Sequence, residues 1–480
     1  MENSSQSSEI ISNAHDAQQS CTICSDTILH KDDTSAKANL EAENLNGTSN
    51  EANAGVRRLS AEQVMRVAGA RYIQFCSQKK DSTSMQVPLD FALSDLSVEE
   101  MSDVELVHLL LAAAEKVGEQ KYDQASRLLK RCTCMSSNTG NSVHRAVFYF
   151  TKALQERIAQ GTGIINSEKL EEEKRSAFGT PLSHNVTTVV CKPEFPIFQV
   201  ALLTGAQAIL DNIGTAQRIH LIDLGLRNGI HLTVLMQSLA ARKTCQIELL
   251  KITAFGLKGS RDKLEGVCLM LASLAESINL PFSFNVLIVP SLEDLNQEHF
   301  KIEDDEVVAI YSLSVLATMV SKPKSLETLM RKLKMLNSEV MVVTEIESSH
   351  NSPVFVNRFI EALFYYGAFF DALEECMGRN SVYRMMTESN YLHEGIQSII
   401  ANEGDERVVR NVKIDVWRAF FARFRMTEIE LTDSCLQQAR SVNEQFSRVN
   451  SCTVDLNGGR SIIVGWKGTP LLSVSAWRFS

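Results

Sequence analysis

The chain has 480 residues, of which 44% are hydrophobic and 22% are charged, the composition of an ordinary globular protein with a sizeable buried core. No run of 18 apolar residues occurs, which excludes a membrane-spanning helix on sequence pattern. The serine-rich start lacks the charged and apolar parts of a secretory signal. Eleven cysteines without regular spacing are typical of free thiols in a reducing compartment, so we expect a cytosolic or nuclear protein.

Acidic charge is concentrated at the N-terminus. Of the net charge of −10, residues 1–55 carry −7, with nine acids, two lysines and no Phe, Trp or Tyr. Such a segment cannot bury enough apolar surface to offset its ordering entropy, so we predict a disordered acidic Ser/Asn-rich tail over residues 1–58. Cys21 and Cys24 have metal-ligand spacing, but no second pair follows, and we therefore expect no metal site. The near-neutral remainder does not indicate a dominant nucleic-acid-binding face.

Amphipathic helical patterns fill residues 59–177. The first begins after Ser60, which with Gln63 fits a capping box. The second is predicted to begin after Ser102, with Glu105 completing the box. Two further helical patterns cover residues 122–132 and 142–158. Four successive apolar-striped helices predict an all-helical cap.

After about residue 192, strand-like runs alternate with helical ones, beginning with a helix over 195–210. Strands are predicted at 218–223, 247–255, 282–289, 306–313 and 339–346, and helices between them at 229–241, 260–278, 291–300 and 322–336. Five apolar strands separated by helices predict a mostly parallel sheet covered on both faces. Near the C-terminus, Asn457-Gly458-Gly459 predicts an antiparallel hairpin, and residues 471–479 add a candidate strand.

The predicted fold class is therefore α/β, with a Rossmann-type core over residues 192–480 and a helical cap over 59–177. A mostly parallel sheet that ends in an antiparallel hairpin is the layout of S-adenosylmethionine-dependent methyltransferases, by analogy only.

The strand 218–223 ends in Asp223 and is followed by Gly225 and Gly229, which is how a cofactor-binding strand–loop–helix begins. These three residues are the candidate cofactor loop. Leu226 and Arg227 place bulk where a cofactor would approach, unless their side chains point away.

The acid that would hold ribose hydroxyls is missing beyond the second strand. Glu248 stands too early, at the start of that strand, and Asp262 lies in the next helix. The favoured interpretation is structural: Asp223 accepts hydrogen bonds from loop amides or the following helix start, and Gly225 supplies a turn with positive φ. A small-molecule pocket is the alternative.

Two histidines flank this loop. His220, between apolar strand neighbours, is interpreted as a core histidine with satisfied hydrogen bonds rather than as a base. His231, at the helix start, is expected to bond loop carbonyls. We find no nucleophile–base pair and no metal-ligand set elsewhere.

The residues around this loop resemble the plant GRAS proteins. Ile219-His220-Leu221-Ile222-Asp223 is similar to the family's central motif, Val-His-Ile-Ile-Asp, and leucine-rich helices flank it at 101–160 and 266–287. Residues 353–375 resemble the Pro and Phe-Tyr parts of the next family motif. Ser475-Ala476-Trp477 resembles the terminal signature, and the resemblance covers roughly residues 59–480 in family order.

Two departures qualify the resemblance. The sequence of the first helices is similar to that of the DELLA branch of the family. However, no Asp-Glu-Leu-Leu-Ala segment occurs in residues 1–58. Gibberellin-receptor docking is therefore not expected. Glu394 and Gly395 stand where an Arg-Glu pair is usual, which puts any role of that pair in doubt.

The resemblance implies a non-enzymatic nuclear transcriptional regulator without a cofactor. It implies action through DNA-binding transcription factors and other GRAS proteins, as homo- or heterodimers, in plant hormone or developmental signalling. Two alternatives stay open: a small-molecule binder or S-adenosylmethionine-dependent methyltransferase using residues 223–229, and direct sequence-specific DNA binding.

Partner-binding candidates come from two helical stretches. Leu106, Leu109 and Leu110 fit the Leu-x-x-Leu-Leu docking pattern. Any amphipathic core helix also produces this pattern, and core packing is the favoured interpretation, whereas the resemblance implies a partner surface. Phe364 and Tyr365 of the Phe-Tyr element are the other candidates.

Residues 407–425 interleave arginines with aromatic side chains, the most nucleic-acid-like pattern in the chain. Arg418 and Arg423 are the nucleic-acid candidates. The favoured interpretation is an amphipathic segment with its aromatics in the core and its arginines solvated or paired with acids. Trp466 and Trp477 are expected to pack the hairpin against the sheet.

Overall fold

The computed structural model describes residues 59–78, 96–163, 196–243, 245–256, 261–377, 381–445 and 451–480. The predicted tail, with Cys21 and Cys24, lies outside them. The described residues form two compact units. The first joins the helices between residues 59 and 163 to Ser352–Asp371, a stretch that the sequence analysis places with the α/β core.

The first unit contains helices α1 (Ala61–Gln78), α2 (Val98–Gly118), α3 (Tyr122–Met135) and α4 (Ser142–Gly161). The capping box predicted for α1 is confirmed. The backbone N–H of Gln63 donates to Ser60 Oγ at 3.2 Å, and the N–H of Ser60 donates to Gln63 Oε1 at 2.9 Å.

The predicted start of α2 is wrong. Its capping box is formed by Ser97 and Glu100, so Ser102 and Glu105 lie inside the helix. Both pairs have the Ser-x-x-Glu pattern. Glu100 Oε1 also accepts the N–H of Leu59 at 2.7 Å, whereas Glu105 pairs with Arg131 of α3 at 3.3 Å. The earlier start therefore links α2 to the residues that begin α1.

The second unit is an α/β sheet. Its elements in chain order are α5 (Pro196–Ile213), β1 (Arg218–Asp223), α6 (Ile230–Ala240), β2 (Leu249–Gly256), α7 (Arg261–Ser277), β3 (Phe282–Ile288), β4 (Val307–Leu313), α8 (Pro323–Lys334) and β5 (Val340–Ile346). They continue with α9 (Phe355–Met377), which begins in the helical unit, then α10 (Val382–Thr387), α11 (His393–Ile400), α12 (Ile414–Ala422), β6 (Met426–Ile429), α13 (Asp433–Gln445), β7 (Cys452–Asp455), β8 (Ser461–Trp466) and β9 (Thr469–Phe479).

The sheet order is β3-β2-β1-β4-β5-β9-β8-β7, with β6 paired to β9. Strands β1 to β5 pair in parallel, and β6 to β9 pair antiparallel. This is the predicted mostly parallel sheet with an antiparallel C-terminal hairpin. The turn at Asn457–Gly459 joins β7 to β8, and Gly458 has the φ of +70° that glycine adopts without strain.

One predicted helix is absent, and one observed strand was not predicted. Residues 291–300 are not a helix but an irregular segment with one 3₁₀ turn at Gln297–Phe300. The buried Leu292, Leu295 and Phe300 repeat at helix-like intervals, yet a loop places them in the same core. Strand β6 was not predicted, since its four residues are too short to show a period.

Apolar side chains from β1, β4 and β5 form a core cluster with α8 and α12. Trp477, 3% exposed, belongs to this cluster, and Trp466 is fully buried, so the packing role expected for both is confirmed. None of the described helices is long and apolar enough to span a membrane.

Candidate functional site

The candidate loop lies at the point where the chain reverses its direction of travel across the sheet. Strand β1 is central, with β2 on one side and β4 on the other. The chain moves from β1 to β2 and β3, then returns to β4 and β5. In open α/β sheets, ligands bind outside the carboxyl ends of the strands at such a switch point.

Both carboxylate oxygens of Asp223 are bound within the chain. The backbone N–H of Gly225 donates to Oδ1 at 2.9 Å, and His231 Nε2 lies 2.5 Å from Oδ2. Asp223 and His231 are each 1% exposed. The expectation that Asp223 binds a loop amide is confirmed. The expectation that His231 bonds loop carbonyls is wrong, because its ring turns inward to the carboxylate.

Gly225 is required for space rather than for a turn. It does not have the positive φ that was expected; Gly229 does, with φ of +70°. A Cβ added at Gly225 would overlap Cγ2 of Val315, which lies in the segment after β4. The side chain of Val315 therefore lies directly against the candidate loop.

Arg227 also binds this segment. Its guanidinium donates to the carbonyl of Ser314 at 2.8 Å, so its exposed side chain bridges the β1 and β4 loops. Leu226 is 3% exposed and packs inward.

Glu345, at the end of β5, holds the other side of the segment after β4. Its Oε1 accepts the N–H of Leu316 at 2.9 Å. The carboxyl is 1% exposed, and burial raises its pKa to about 7. Side chains of the chain itself thus hold the segment after β4 at the switch point.

The structure places the two acids nearest the second strand where the sequence analysis expected them. Strand β2 ends at Gly256, Glu248 precedes its start, and Asp262 lies in α7. Residues 257–260 contain no acidic side chain in the sequence. Among the described residues, neither acid stands at the end of β2, the position from which a carboxylate holds the ribose in cofactor-binding sheets.

His220 is a core histidine with both ring nitrogens bonded, as expected. It is fully buried, with Nδ1 2.9 Å from Glu306 Oε2 and Nε2 2.8 Å from Thr253 Oγ1. Burial lowers the pKa of His220 to about 4, so the imidazole is neutral at physiological pH. Its bonds hold β1 to its two neighbouring strands.

A Ser–His–Asn constellation that sequence reasoning missed follows β5. Ser348 Oγ lies 2.9 Å from His350 Nε2, and Asn411 Nδ2 lies 3.0 Å from His350 Nδ1. An amide nitrogen only donates, so Nδ1 accepts and Nε2 carries the proton. With that tautomer, His350 cannot take a proton from Ser348, and burial of all three residues also removes them from substrate. The constellation is structural.

The structure places the leucine candidates in the core of the helical unit. Leu106 and Leu110 are fully buried and Leu109 is 7% exposed. Tyr365 is 5% exposed and Phe364 half-buried. This burial supports the core interpretation of the Leu-x-x-Leu-Leu pattern.

The arginine candidates are both paired with acids. Arg418 binds Glu428 through two nitrogens at 3.0 Å each, and also binds Asp415 at 2.9 Å. Arg423, 60% exposed, pairs with Glu327 at 2.5 Å. The aromatics Trp417 and Phe421 pack in the core cluster. The favoured interpretation of residues 407–425 is therefore confirmed for these side chains.

The substitution Gly225→Ala is expected to lower the free energy of unfolding by about 1–3 kcal/mol, because the new methyl overlaps Val315. Chemical denaturation followed by tryptophan fluorescence measures it. Val315→Ala in the same chain is expected to recover part of the loss. As a matched control, Gly266→Ala on α7, where a Cβ meets no atom within 4 Å, is expected to raise stability by about 0.5–1 kcal/mol.

Arg418→Ala is expected to lower the free energy of unfolding by about 1.5–3 kcal/mol, since it removes charged hydrogen bonds to a largely buried Glu428. Arg423→Ala, a matched loss of one exposed arginine, is expected to change it by less than about 1 kcal/mol. Urea denaturation gives both values, and duplex binding is measured in parallel at low salt. Unchanged stability in Arg418→Ala, with loss of salt-dependent duplex binding, would contradict the structural role.

Comparison with known proteins agrees with the geometry. The chain matches the GRAS domain family over residues 106–478. It is 30% identical to DELLA protein 1 of Medicago truncatula over 390 residues, which is 78% of this chain and 63% of that protein. It is also 30% identical to DELLA protein RGL1 of Arabidopsis thaliana over 378 residues, covering 78% of this chain and 70% of that protein.

The chain spans less than two thirds of the length of DELLA protein 1. Its fold is similar to the crystal structure of SCL7 in Oryza sativa, with a TM-score of 0.65, 26% identity, and coverage of 78% of this chain and 99% of that chain. The motif order, the sheet and these matches lead to one conclusion: the chain belongs to the GRAS domain family.

Proposed function

We propose that this chain is a plant nuclear transcriptional regulator that works by binding other proteins rather than by catalysis. Its partners on this proposal are DNA-binding transcription factors and other GRAS proteins, including a second copy of itself. The setting is plant hormone or developmental signalling. Family membership over residues 106–478 and the DELLA proteins among its relatives support the proposal.

One observation carries the non-catalytic part of the proposal: both carboxylate oxygens of Asp223 are bound by the chain itself. In a cofactor-binding sheet, the end of the first strand faces the ligand. Here Val315 packs on Gly225, and Arg227 bridges to Ser314. This arrangement favours a framework role for the loop.

A ligand titration tests the framework role. The full chain is heated with increasing S-adenosylmethionine and, separately, with its demethylated product, and the unfolding temperature is followed. A ligand that binds the folded state stabilises it by about 2.7 kcal/mol at 100 times its dissociation constant. We expect no shift; a saturable shift that is lost in Asp223→Asn would establish the small-molecule alternative.

A capture experiment tests the protein-binding part. The tagged full chain is incubated with a plant nuclear extract, and retained proteins are identified by mass spectrometry. The matched control is the Leu106→Ala chain, in which the buried core of the helical unit is disturbed. We expect DNA-binding transcription factors and GRAS proteins to be enriched over that control. Equal recovery from both chains would contradict partner binding that depends on a folded helical unit.

A further inference from the structure

The residues that begin α1 combine a sequence of the kind that kinases recognise with a buried helix cap. Arg57 and Arg58 stand three and two residues before Ser60. Serine/threonine kinases that select arginine at these positions do so with carboxylates that pair with guanidinium groups. We propose that Ser60 is a phosphorylation site for an arginine-directed kinase, and that its modification releases α1 from the helical unit.

In the unmodified chain, Ser60 is part of the contact that holds α1 in place. Its Oγ accepts the N–H of Gln63, and the residues on either side bind carboxylates of other helices. Leu59 N–H donates to Glu100 of α2 at 2.7 Å, and Ala61 N–H donates to Asp371 of α9 at 3.1 Å. Ser60 is only 9% exposed, which leaves little room for a phosphoryl group.

A phosphoryl group at Ser60 would face acids. Glu100 and Asp371 bind the neighbouring amides, and Glu62, 3% exposed, lies in the first turn and pairs with Arg66. A phosphoserine carries a charge of about −1.5 to −2 and disrupts contacts beside Asp and Glu by repulsion and desolvation. Repulsion from Glu100 and Asp371 therefore acts only while α1 is docked.

The helix dipole does not change this result. Phosphate at a helix N-terminus is favoured by the positive end of the dipole. That gain is kept while released α1 stays helical and is lost where it unfolds, but it is small beside the cost of placing a charged phosphoryl group in buried space next to Glu100 and Asp371. The bulk of the phosphoryl group and its repulsion from Glu100 and Asp371 destabilise only the docked state. Phosphorylation therefore shifts the equilibrium between docked and released α1 toward release.

Release of α1 would expose the apolar side of the helix and the surface that it covers. Val64, Met65 and Ala68 are each at most 1% exposed. Met65 packs directly on Gly367 of α9, where a Cβ would overlap its sulfur. Uncovering this contact presents a new apolar surface within the helical unit.

The chemical step is an ordinary phosphoryl transfer. Ser60 Oγ attacks the γ-phosphorus of ATP, the bond from that phosphorus to ADP breaks, and the hydroxyl proton leaves with a base of the kinase. The kinase acts on the fraction of chains in which α1 has locally opened, as helix ends do. The phosphorylated chain closes less readily than the unmodified chain, so phosphorylation increases the population of the released state.

The structure supplies an internal control. Ser97 caps α2 with the same capping-box geometry, formed with Glu100, and it is exposed. No arginine or lysine occurs among the four residues before it. If exposure of a capping serine were sufficient for phosphorylation, the kinase would modify Ser97 before Ser60. If the kinase requires Arg57 and Arg58, it modifies only Ser60.

The test uses the full chain, a purified arginine-directed kinase catalytic subunit and ATP, with phosphopeptide mapping. We expect phosphate on Ser60 and not on Ser97, lost in Ser60→Ala and in the Arg57→Ala/Arg58→Ala double variant. A chain with phosphoserine inserted at position 60 during synthesis is then compared with the unmodified chain by hydrogen–deuterium exchange. Backbone amides of α1 are expected to exchange at least about tenfold faster, with β1 unchanged.

Two results would overturn the proposal. If phosphopeptide mapping finds no phosphate on Ser60 of the folded chain, or equal phosphate on Ser97, Ser60 is not a specific phosphorylation site. If the α1 amides of the phosphoserine chain keep or gain protection from exchange, phosphorylation does not release α1. Ser60→Ala, which loses the cap without adding charge, separates repulsion from simple cap loss, and we expect its α1 protection to fall less than that of the phosphoserine chain.

Discussion

Replacing His231 by leucine is expected to lower the free energy of unfolding by about 3–5 kcal/mol, because it leaves one oxygen of the buried Asp223 carboxylate without its partner. The two side chains are each 1% exposed and 2.5 Å apart. Urea denaturation followed by the fluorescence of the three tryptophans, all of which lie in the α/β unit, measures the change.

A second substitution shows whether His231→Leu destabilises the chain through lost packing or through the unpaired charge of Asp223. In the unsubstituted chain, Asp223→Asn is expected to destabilise, since it weakens the pair with His231. In the His231→Leu chain, the same change is expected to stabilise, because a neutral amide costs less to bury than an unpaired carboxylate. If Asp223→Asn destabilises both chains equally, Asp223 and His231 are not coupled and the expectation is wrong.

Leu106→Ala is expected to lower the free energy of unfolding by about 2–5 kcal/mol, the cost of a cavity at a fully buried leucine. Far-ultraviolet circular dichroism during denaturation measures it. The leucines would then matter for partner capture through the integrity of the helical unit and not through direct contact.

Val98→Ala is the matched control for this prediction. Val98 lies on the same helix but is 89% exposed, so its loss is expected to change stability by no more than about 0.5 kcal/mol. A Leu106→Ala chain that keeps full stability and yet loses its partners would show that this leucine is a docking residue.

Much of the sheet could be predicted because its central parallel strands β1, β4 and β5 are buried along nearly their whole length. The sequence predicts strand β1 at its observed bounds, Arg218–Asp223, since the apolar Ile219, Leu221 and Ile222 are followed there by Asp223. Local patterns failed where two of them compete. Ser97 and Ser102 both offer a capping box to α2. The structure uses Ser97 with Glu100, and Glu100 also accepts the N–H of Leu59, a contact that no local pattern contains.

Of the contacts in the candidate site, those that are local in sequence could be predicted and those from other strands could not. The hydrogen bond from Gly225 to Asp223 is local, and the short loop allows it to be anticipated. Val315, Ser314 and Glu345 could not be anticipated, because they reach the loop only once β4 and β5 have paired beside β1. The expected positive φ at Gly225 failed because glycine serves two needs, backbone freedom and close approach, and the sequence does not distinguish them.

The assignment of Ser352–Asp371 to the helical unit bears on how deletion mapping is designed for this chain. A fragment that stops at Asn351 would remove Gly367 from beneath Met65 and Asp371 from the first amide of α1. Its behaviour in a two-hybrid or co-precipitation assay would report a damaged bundle rather than a missing epitope. A truncation that keeps residues 59–371 preserves the helical unit but removes Ala372–Ser480 from the α/β unit. Point substitutions are therefore better suited than truncations to locating a binding face.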